Sequence, residues 1–534
     1  MFFSRFALYL HYHLQIYILM KFTPIPLSLG AIALFTDCTV VEKNEYRLPE
    51  IEGAQKPRNV IFILSDDHRY DFMGFTGVQP WLKTPGMDRM YREGAYLRNA
   101  FVTTSLSSPS RASILTGMFS HCHTVVDNQA PMPDGLTFFP QYLQAAGYNT
   151  AFFGKWHMGN QGDNPQPGFS HWESFDGQGV YYNPKMNING ERIEYKDSTY
   201  ITDLLTNHAI EWMKKQPKDK PYFVYLSHKG VHAEFNPAKR HKGMYKDAEV
   251  VEPKNVGNPN YGITTPPTKN EQGSAKEHRD FYGENFKPDW VKQQRESWHG
   301  IDYTYHNNTP YKEQVKDYCE TLMGVDESIS AVLDYLKEAG LDESTLVIYM
   351  GDNGFCWGEH GLIDKRHFYE ASVRVPMLAY CPELIKPGTV VDKMVQNIDI
   401  APTILEMAGL QSPEHFNGMS FVKLLEQKEV AWRDKIFYEY YWEFAFPQTP
   451  TMHGVRTDRY KYIRYHGIWD TNEFYDLQND PDEMHNLIDS PEHQELIKEY
   501  VSSLYDWMEE TGGMQIPLKR TMHTKGDHRN RGNR

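Results

Sequence analysis

The sequence predicts an α/β protein: a large, mostly parallel sheet flanked by helices, with a smaller α+β unit towards the C-terminus. Three observations carry this. Four apolar runs, "RNVIFILSDD" (58–67), "YNTAFFGKWH" (148–157), "PYFVYLSH" (221–228) and "STLVIYMGDNG" (344–354), have the unbroken hydrophobicity of strands buried on both faces. Helical patterns lie between them, among them 138–147 and 314–340, and strands alternating with helices build a parallel sheet wrapped by helices. Each run also ends in polar, ionisable residues, and an open α/β sheet gathers such strand ends into one crevice.

Taken in order, the first strand runs into Asp66 and Asp67. Alternation along a strand would separate them, but at a strand exit both can face one ion. The next segment, "SLSSPSRASILTG" (105–117), packs four serines, a proline and an arginine into 105–111 and then reads as a helix. Ser108 is expected to cap that helix, with Pro109 in its first turn. The free N–H groups and the helix dipole favour an anion at this end. Ser107 sits beside the cap, and Arg111 is one turn on, within reach of the same anion. Taken alone, the segment also fits a serine-rich cap with a surface arginine.

The second strand ends in Lys155 and His157, and the third is followed by His228, Lys229 and His232. The fourth ends in Asp352 and Asn353, with His360 and Lys365 in "GEHGLIDKRHFYE" just beyond. Three carboxylates and an amide oxygen, with no clustered Cys or His, make a hard site suited to calcium or magnesium. Asp-Asp and Asp-Asn-Gly also mark ordinary turns. A divalent ion against three carboxylates leaves a need for positive charge before an anionic substrate binds, and Arg111, Lys155 and Lys365 can meet it.

Residues 234–312, rich in Pro, Lys, Asn and Tyr, read as long loops shaping one side of a cleft. The first unit is expected over 57–415. A second, over 416–515, has short antiparallel strands and a closing helix, and the basic tail 519–534 is expected to be disordered. Within 1–38, "MKFTPIPLSLGAIALFTDC" has a lysine and an apolar run too short to span a bilayer, which predicts an export signal. Met20 is an alternative start, and Cys38 stands where a bacterial lipoprotein carries its lipid.

The 534 residues suffice for a large core plus a smaller unit, and 40% hydrophobic with 23% charged residues is ordinary globular composition. A net charge of −15 argues against nucleic acid as a partner. It leaves room for an anionic substrate, because screening over roughly 8 Å lets a local cationic pocket act alone. The five cysteines, at 38, 122, 319, 356 and 381, have neither zinc-site nor disulfide-scaffold spacing.

Ser107-Ser108-Pro109-Ser110-Arg111, continued by "ASILTG", resembles the S/C-x-P-S-R activation motif of type I sulfatases of the alkaline phosphatase superfamily. "GYNTAFFGKWH" is similar to that family's second motif, with Phe153 where a smaller residue is usual. "SDDHRYD", "SHKGVH", "GDNG", "GEHGLIDKR" and "DIAPTILEMAG" fall in the family's order, and the resemblance spans roughly 57–490. It implies an alkaline phosphatase-like fold. It also implies that Ser107 is oxidised to Cα-formylglycine (3-oxoalanine), hydrated at rest. A serine-type motif implies a radical-SAM maturing enzyme and a bacterial source, the other serines and Pro109 forming the tag it reads.

The resemblance makes Asp66, Asp67, Asp352, Asn353 and the modified Ser107 ligands of one Ca2+, with Mg2+ the alternative ion. Arg111 and Lys155 then hold the hydrate and the sulfate, and His157 takes a proton from the second hydroxyl. His232, preferred to His228, and Lys365 bind sulfate and help protonate the leaving alcohol. The implied substrate is a sulfated carbohydrate, a polysaccharide or its oligosaccharides, either algal (such as ulvan) or a glycosaminoglycan. The implied location is the periplasm or cell surface, with or without a lipid anchor at Cys38. The competing readings are a phosphonate monoester or phosphodiester hydrolase of the same superfamily, and a non-catalytic glycan-binding homologue.

Overall fold

The computed structural model describes residues 46–53, 57–159, 162–256, 287–295, 297, 299–301, 309–467, 471–515 and 517. The export signal with Cys38, the tail 519–534 and residues 257–286 of the expected loop region lie outside the described residues. Among the described residues no helix is long and apolar enough to cross a membrane. Cys122, Cys319, Cys356 and Cys381 are unpaired.

Ten strands form one sheet: β1 (Val60–Ser65), β2 (Ala95–Leu97), β3 (Asn149–Lys155), β4 (His171–Phe175), β5 (Lys185–Ile188), β6 (Glu191–Glu194), β7 (Tyr222–Ser227), β8 (Leu346–Gly351), β9 (Met377–Tyr380) and β10 (Thr389–Val391). Their order is β10-β2-β9-β8-β1-β7-β3-β4-β5-β6. The central strands β8-β1-β7-β3-β4 are parallel, as expected. Antiparallel partners on both flanks, β9 on β8 and β5 on β4, make the sheet as a whole mixed.

Alternation along β1 explains its unbroken apolar sequence. Val60, Phe62 and Leu64 enter one core, and Ile61 and Ile63 enter the other. The helices that supply these cores are α1 (Pro85–Glu93), α2 (Ser107–Thr116), α3 (Phe139–Ala145), α4 (Ile201–Lys214), α5 (Tyr311–Ala339) and α6 (Ile400–Met407). The first core is closed by α2, α3 and α6, the second by α1, α4 and α5. On α5 the buried Val315, Leu322, Val325, Ile329, Val332 and Leu336 recur at helical spacing and form its sheet-facing stripe. Each such side chain contributes about 1.5–3 kcal/mol by leaving water.

The C-terminal region is an antiparallel meander, β11 (Ile436–Tyr440), β12 (Thr451–Arg456), β13 (Tyr460–His466) and β14 (Glu473–Asp476), covered by α7 (Gln494–Thr511). Val455, Tyr462 and Phe474 pack against Ile497, Leu504 and Trp507 of α7. From the other face, Tyr438, Tyr440, Met452 and Ile463 join the core of the large sheet.

Strand register sets up the site. Leu64 lies opposite Ser227, Ser65 opposite Gly351, and Gly154 opposite Ser227. The following residues, Asp66, Asp352, His228 and Lys155, therefore leave the sheet side by side. Backbone bonds continue the pairing, Asp352 N–H to Ser65 C=O at 2.9 Å and His228 N–H to Leu64 C=O at 2.8 Å.

Candidate active site

Asp66 continues β1, but Asp67 takes a left-handed conformation (φ 58°), which undoes the alternation and turns both carboxylates to one side. One oxygen from each of Asp66, Asp67 and Asp352 lies within 4.8 Å of the others, and all three residues are fully buried. The Asp67 N–H donates to Asp352 Oδ1 at 3.0 Å, and Asn353 Nδ2 donates to Asp67 Oδ1 at 2.8 Å.

The N-terminus of α2 carries Ser107 to this cluster. Its hydroxyl donates to Asp66 Oδ1 at 3.2 Å and lies 3.5 Å from Asn353 Oδ1. The expected cap is corrected here. Leu106, extended and buried, stands at the cap position, and Ser108 lies inside the first turn. The Ser108 N–H is taken by Asn128 Oδ1 at 3.0 Å. With Leu106 buried in the core as the cap, the helix starts two residues earlier than expected, and Ser107, its first residue, faces Asp66. Other serines of the segment make bonds within the fold: Ser105 Oγ donates to the Ser372 carbonyl at 2.6 Å, and Ser110 Oγ accepts from Asn397 Nδ2 at 2.9 Å.

Three cations match the three carboxylates. Arg111 donates to Asp352 Oδ2 through Nε at 3.1 Å and Nη2 at 2.9 Å, and to the Lys155 carbonyl at 2.8 Å and Ser227 Oγ at 2.7 Å. Lys155 Nζ pairs with Asp66, and Lys365 Nζ with Asp67. His232 donates from Nδ1 to the Ala233 carbonyl at 2.7 Å, leaving Nε2 at 3.8 Å from Asp67 Oδ2. Gln178 bridges Lys155 and His157, its Nε2 lying 3.1 Å from His157 Nε2.

Burial raises Asp66, but Lys155, His232, Arg111 and Lys365 outweigh it and hold the carboxylate well below its usual range. Burial lifts Asp67, Lys365 opposes, and Asp66 and Asp352 add to the rise, which reaches about 7. Burial first and Lys155 second hold His157 and His232 well below the ordinary imidazole value, so both rings are neutral. Burial lowers Lys365, yet Asp67 and Asp364 outweigh it, and its ammonium is firmly protonated.

Ser107, Arg111, Lys155, His157, His232, Lys365 and the four metal-type residues are thus brought together. His228 is not: its ring bonds Ser328 on α5 at 3.0 Å, and burial pushes its pKa down to about 3. His360 packs on Tyr369, ring centroids 4.1 Å apart. Gln178 and Ser227 were missed from the sequence. Gln178 lies in a loop after β4 without an apolar run to mark it, whereas Ser227, as the last residue of β7, was legible in principle.

The cluster fits a hard divalent ion. Asp67 Oδ2 is buried without a hydrogen-bond partner among the described residues, and Ser107 and Asn353 add neutral oxygens beside the carboxylates. A helix-borne hydroxyl among carboxylates and cations at a sheet edge is the site of a hydrolase for anionic esters.

The comparisons narrow that class. Residues 58–410 match the sulfatase family, and 358–510 match the C-terminal region of N-sulphoglucosamine sulphohydrolase. An N-acetylglucosamine-6-O-sulfatase of Bacteroides thetaiotaomicron is 31% identical over 550 aligned positions, covering 96% of this chain and 95% of that one. Human N-acetylglucosamine-6-sulfatase is 28% identical over 428 positions, covering 75% of this chain and 70% of its own. A solved structure of a protein with its substrate D-glucosamine-2-N,6-O-disulfate superposes with a TM-score of 0.73 at 31% identity, covering 87% of this chain and 100% of that one. The chain belongs to the type I, formylglycine-dependent sulfatases of the alkaline phosphatase superfamily, in their serine-type form, a family of sulfuric ester hydrolases.

Proposed function

We propose that this protein hydrolyses a sulfate monoester on a glucosamine-type sugar, using an aldehyde hydrate formed from Ser107. The observation that carries the reading is the seat of Ser107, at a helix start, 3.2 Å from Asp66 and beside three buried cations. The choice of sugar is supported by the names of the relatives above. Asp66, Asp67, Asp352, Asn353 and residue 107 would hold the divalent ion, calcium by its donor set, which supplies charge neutralisation and acidifies a hydroxyl. The hydrate supplies two hydroxyls on one carbon, one to take the sulfuryl group and one whose deprotonation expels it.

The chain's own residues do the rest. Asp352, Ser227 and the Lys155 carbonyl fix the Arg111 guanidinium, so its charge faces the ester without reorganising during reaction. Lys155, held by Asp66 and Gln178, supplies a second fixed charge. His157, kept neutral, is able to accept a proton from residue 107. His232 is neutral with its Nδ1 proton engaged by Ala233, so the ammonium of Lys365 is the group that holds a proton for the leaving oxygen. Maturation by a radical-SAM enzyme and export to the periplasm or cell surface belong to the same reading.

The test measures sulfate release from N-acetylglucosamine-6-O-sulfate and D-glucosamine-2-N,6-O-disulfate, beside an aryl phosphodiester and an aryl phosphonate. Mass spectrometry of the residue 107 peptide from the same preparation accompanies it. Release from the sulfated sugars, loss of two hydrogens at residue 107, and no turnover by Ser107→Ala are expected. Sulfate release by Ser107→Ala at the normal rate, or preference for the phosphonate, overturns the reading.

A further inference from the structure

Arg111, Lys155 and Lys365 each stand on a carboxylate, but one more cation is buried beside them. Lys229 is 4% exposed, and among the described residues no carboxylate lies within ion-pair distance of its ammonium. Its partner is an aromatic face: Nζ lies 4.7 Å from the centroid of the Tyr181 ring. Such a contact offsets only part of the cost of removing an ammonium from water.

The neighbours show where this charge points. His228, the preceding residue, turns away to Ser328, while Lys229 stays within the field of Lys155, Asp66, Asp67 and the exposed Glu234. The Tyr181 hydroxyl donates to the His232 carbonyl at 2.7 Å, and His232 Nε2 stands 3.8 Å from Asp67 Oδ2. Lys229, Tyr181 and His232 therefore form one line of contacts ending at the carboxylate cluster. Burial, helped by Lys155, draws Lys229 down to about 8, so the ammonium stays charged at neutral pH.

The charge balance separates Lys229 from the reacting group. Arg111, Lys155 and Lys365 cancel Asp66, Asp67 and Asp352. A divalent ion at the carboxylates is balanced by the sulfate dianion that hydrolysis releases. Among the buried charges that of Lys229 is left over, and the exposed Glu234 lies in its field but outside ion-pair distance. We propose that Lys229 forms a second anion subsite, which takes a second negatively charged substituent of the sulfated sugar whose ester lies at residue 107. The inference rests on the function proposed above and adds to it a preference for doubly charged substrates.

The experiment compares mature wild type, Lys229→Met and Lys229→Arg on D-glucosamine-2-N,6-O-disulfate and N-acetylglucosamine-6-O-sulfate. The wild type is expected to favour the disulfate. In Lys229→Met the ratio of kcat/KM for the disulfate over the monosulfate falls about tenfold, mainly through KM, the size of one charge-assisted hydrogen bond. Lys229→Arg restores most of the ratio. An unchanged ratio, or an equal loss on both sugars, overturns the proposal. Failure of the wild type on both sugars instead refutes the functional reading. The subsite is then read by calorimetric binding of the disulfated sugar to Ser107→Ala, with and without Lys229→Met. Weaker binding without Lys229 supports the subsite, and equal or absent binding overturns it.

Discussion

Gly154 opens the Gly-Lys-Trp-His segment that delivers Lys155 and His157, and replacing it with alanine tests how tightly the strands hold the site. Its φ is +117°, and a Cβ there would fall 1.8 Å from the Ser227 carbonyl oxygen and 2.7 Å from its carbon. A carbon resting on a carbonyl oxygen needs about 3.3 Å, so β3 and β7 must part by more than about 1 Å. The parting falls at Lys155, whose carbonyl accepts from Arg111 and from Ser227 Oγ, both at 2.8 Å. Arg111 in turn holds Asp352. A displacement of about 1 Å in a catalytic array costs about 100-fold in rate. Gly147→Ala is the control, because Gly147 has φ +91° but nothing within 4 Å of its added Cβ. Sulfate release and thermal unfolding are measured on both variants. Both are expected to melt at lower temperature, since alanine is strained at positive φ. The loss of about 100-fold in kcat/KM is expected for Gly154→Ala alone. Wild-type kcat/KM in Gly154→Ala, or an equal loss in Gly147→Ala, would refute the reasoning.

Adding calcium to chelator-treated protein is expected to raise the melting temperature, by about 2.7 kcal/mol of stability at a hundred times Kd. Asp67→Ala, which removes the unpartnered Oδ2, should abolish that rise; an equal rise in the variant counts against the site. The buried His121–Glu439 pair, 2.8 Å apart, ties the segment after α2 to β11. Burial lowers His121, but Glu439 outweighs it and lifts the imidazole to about 10; burial raises Glu439, but His121 outweighs it and draws it down to about 2. The histidine contribution is complete below its unfolded value near 6.5 and fades as pH rises towards about 10. The glutamate contribution is complete above about 4.3 and fades as pH falls towards about 2. Denaturant titrations should therefore show Glu439→Gln destabilised by about 3–5 kcal/mol, most between about pH 4.5 and 6.5. A deficit independent of pH rejects the linkage.

Much of the fold was legible because a strand covered on both faces must stay apolar until it leaves the sheet. All four apolar runs became adjacent parallel strands, and their polar endings became the site edge. The helix start differs from the expectation by two residues: local capping preference favours Ser108, whereas burial of Leu106 sets the boundary. His232 lies towards Asp67 and His228 towards Ser328 on α5, a difference that packing decides and spacing along the chain does not.

By itself, the sequence determined which residues end the strands and the chemistry they carry, since hydrophobic periodicity and the switch to polar residues are local properties of the chain. The tertiary structure alone decided strand order and register, and so which endings meet. Gln178 reaches Lys155 and His157, Ser227 reaches Arg111, and Tyr181 meets Lys229 through contacts across strands and loops, which spacing along the chain does not rank. Asp66 and Asp67 share one site because of a left-handed turn at Asp67, a conformation that the surrounding packing imposes.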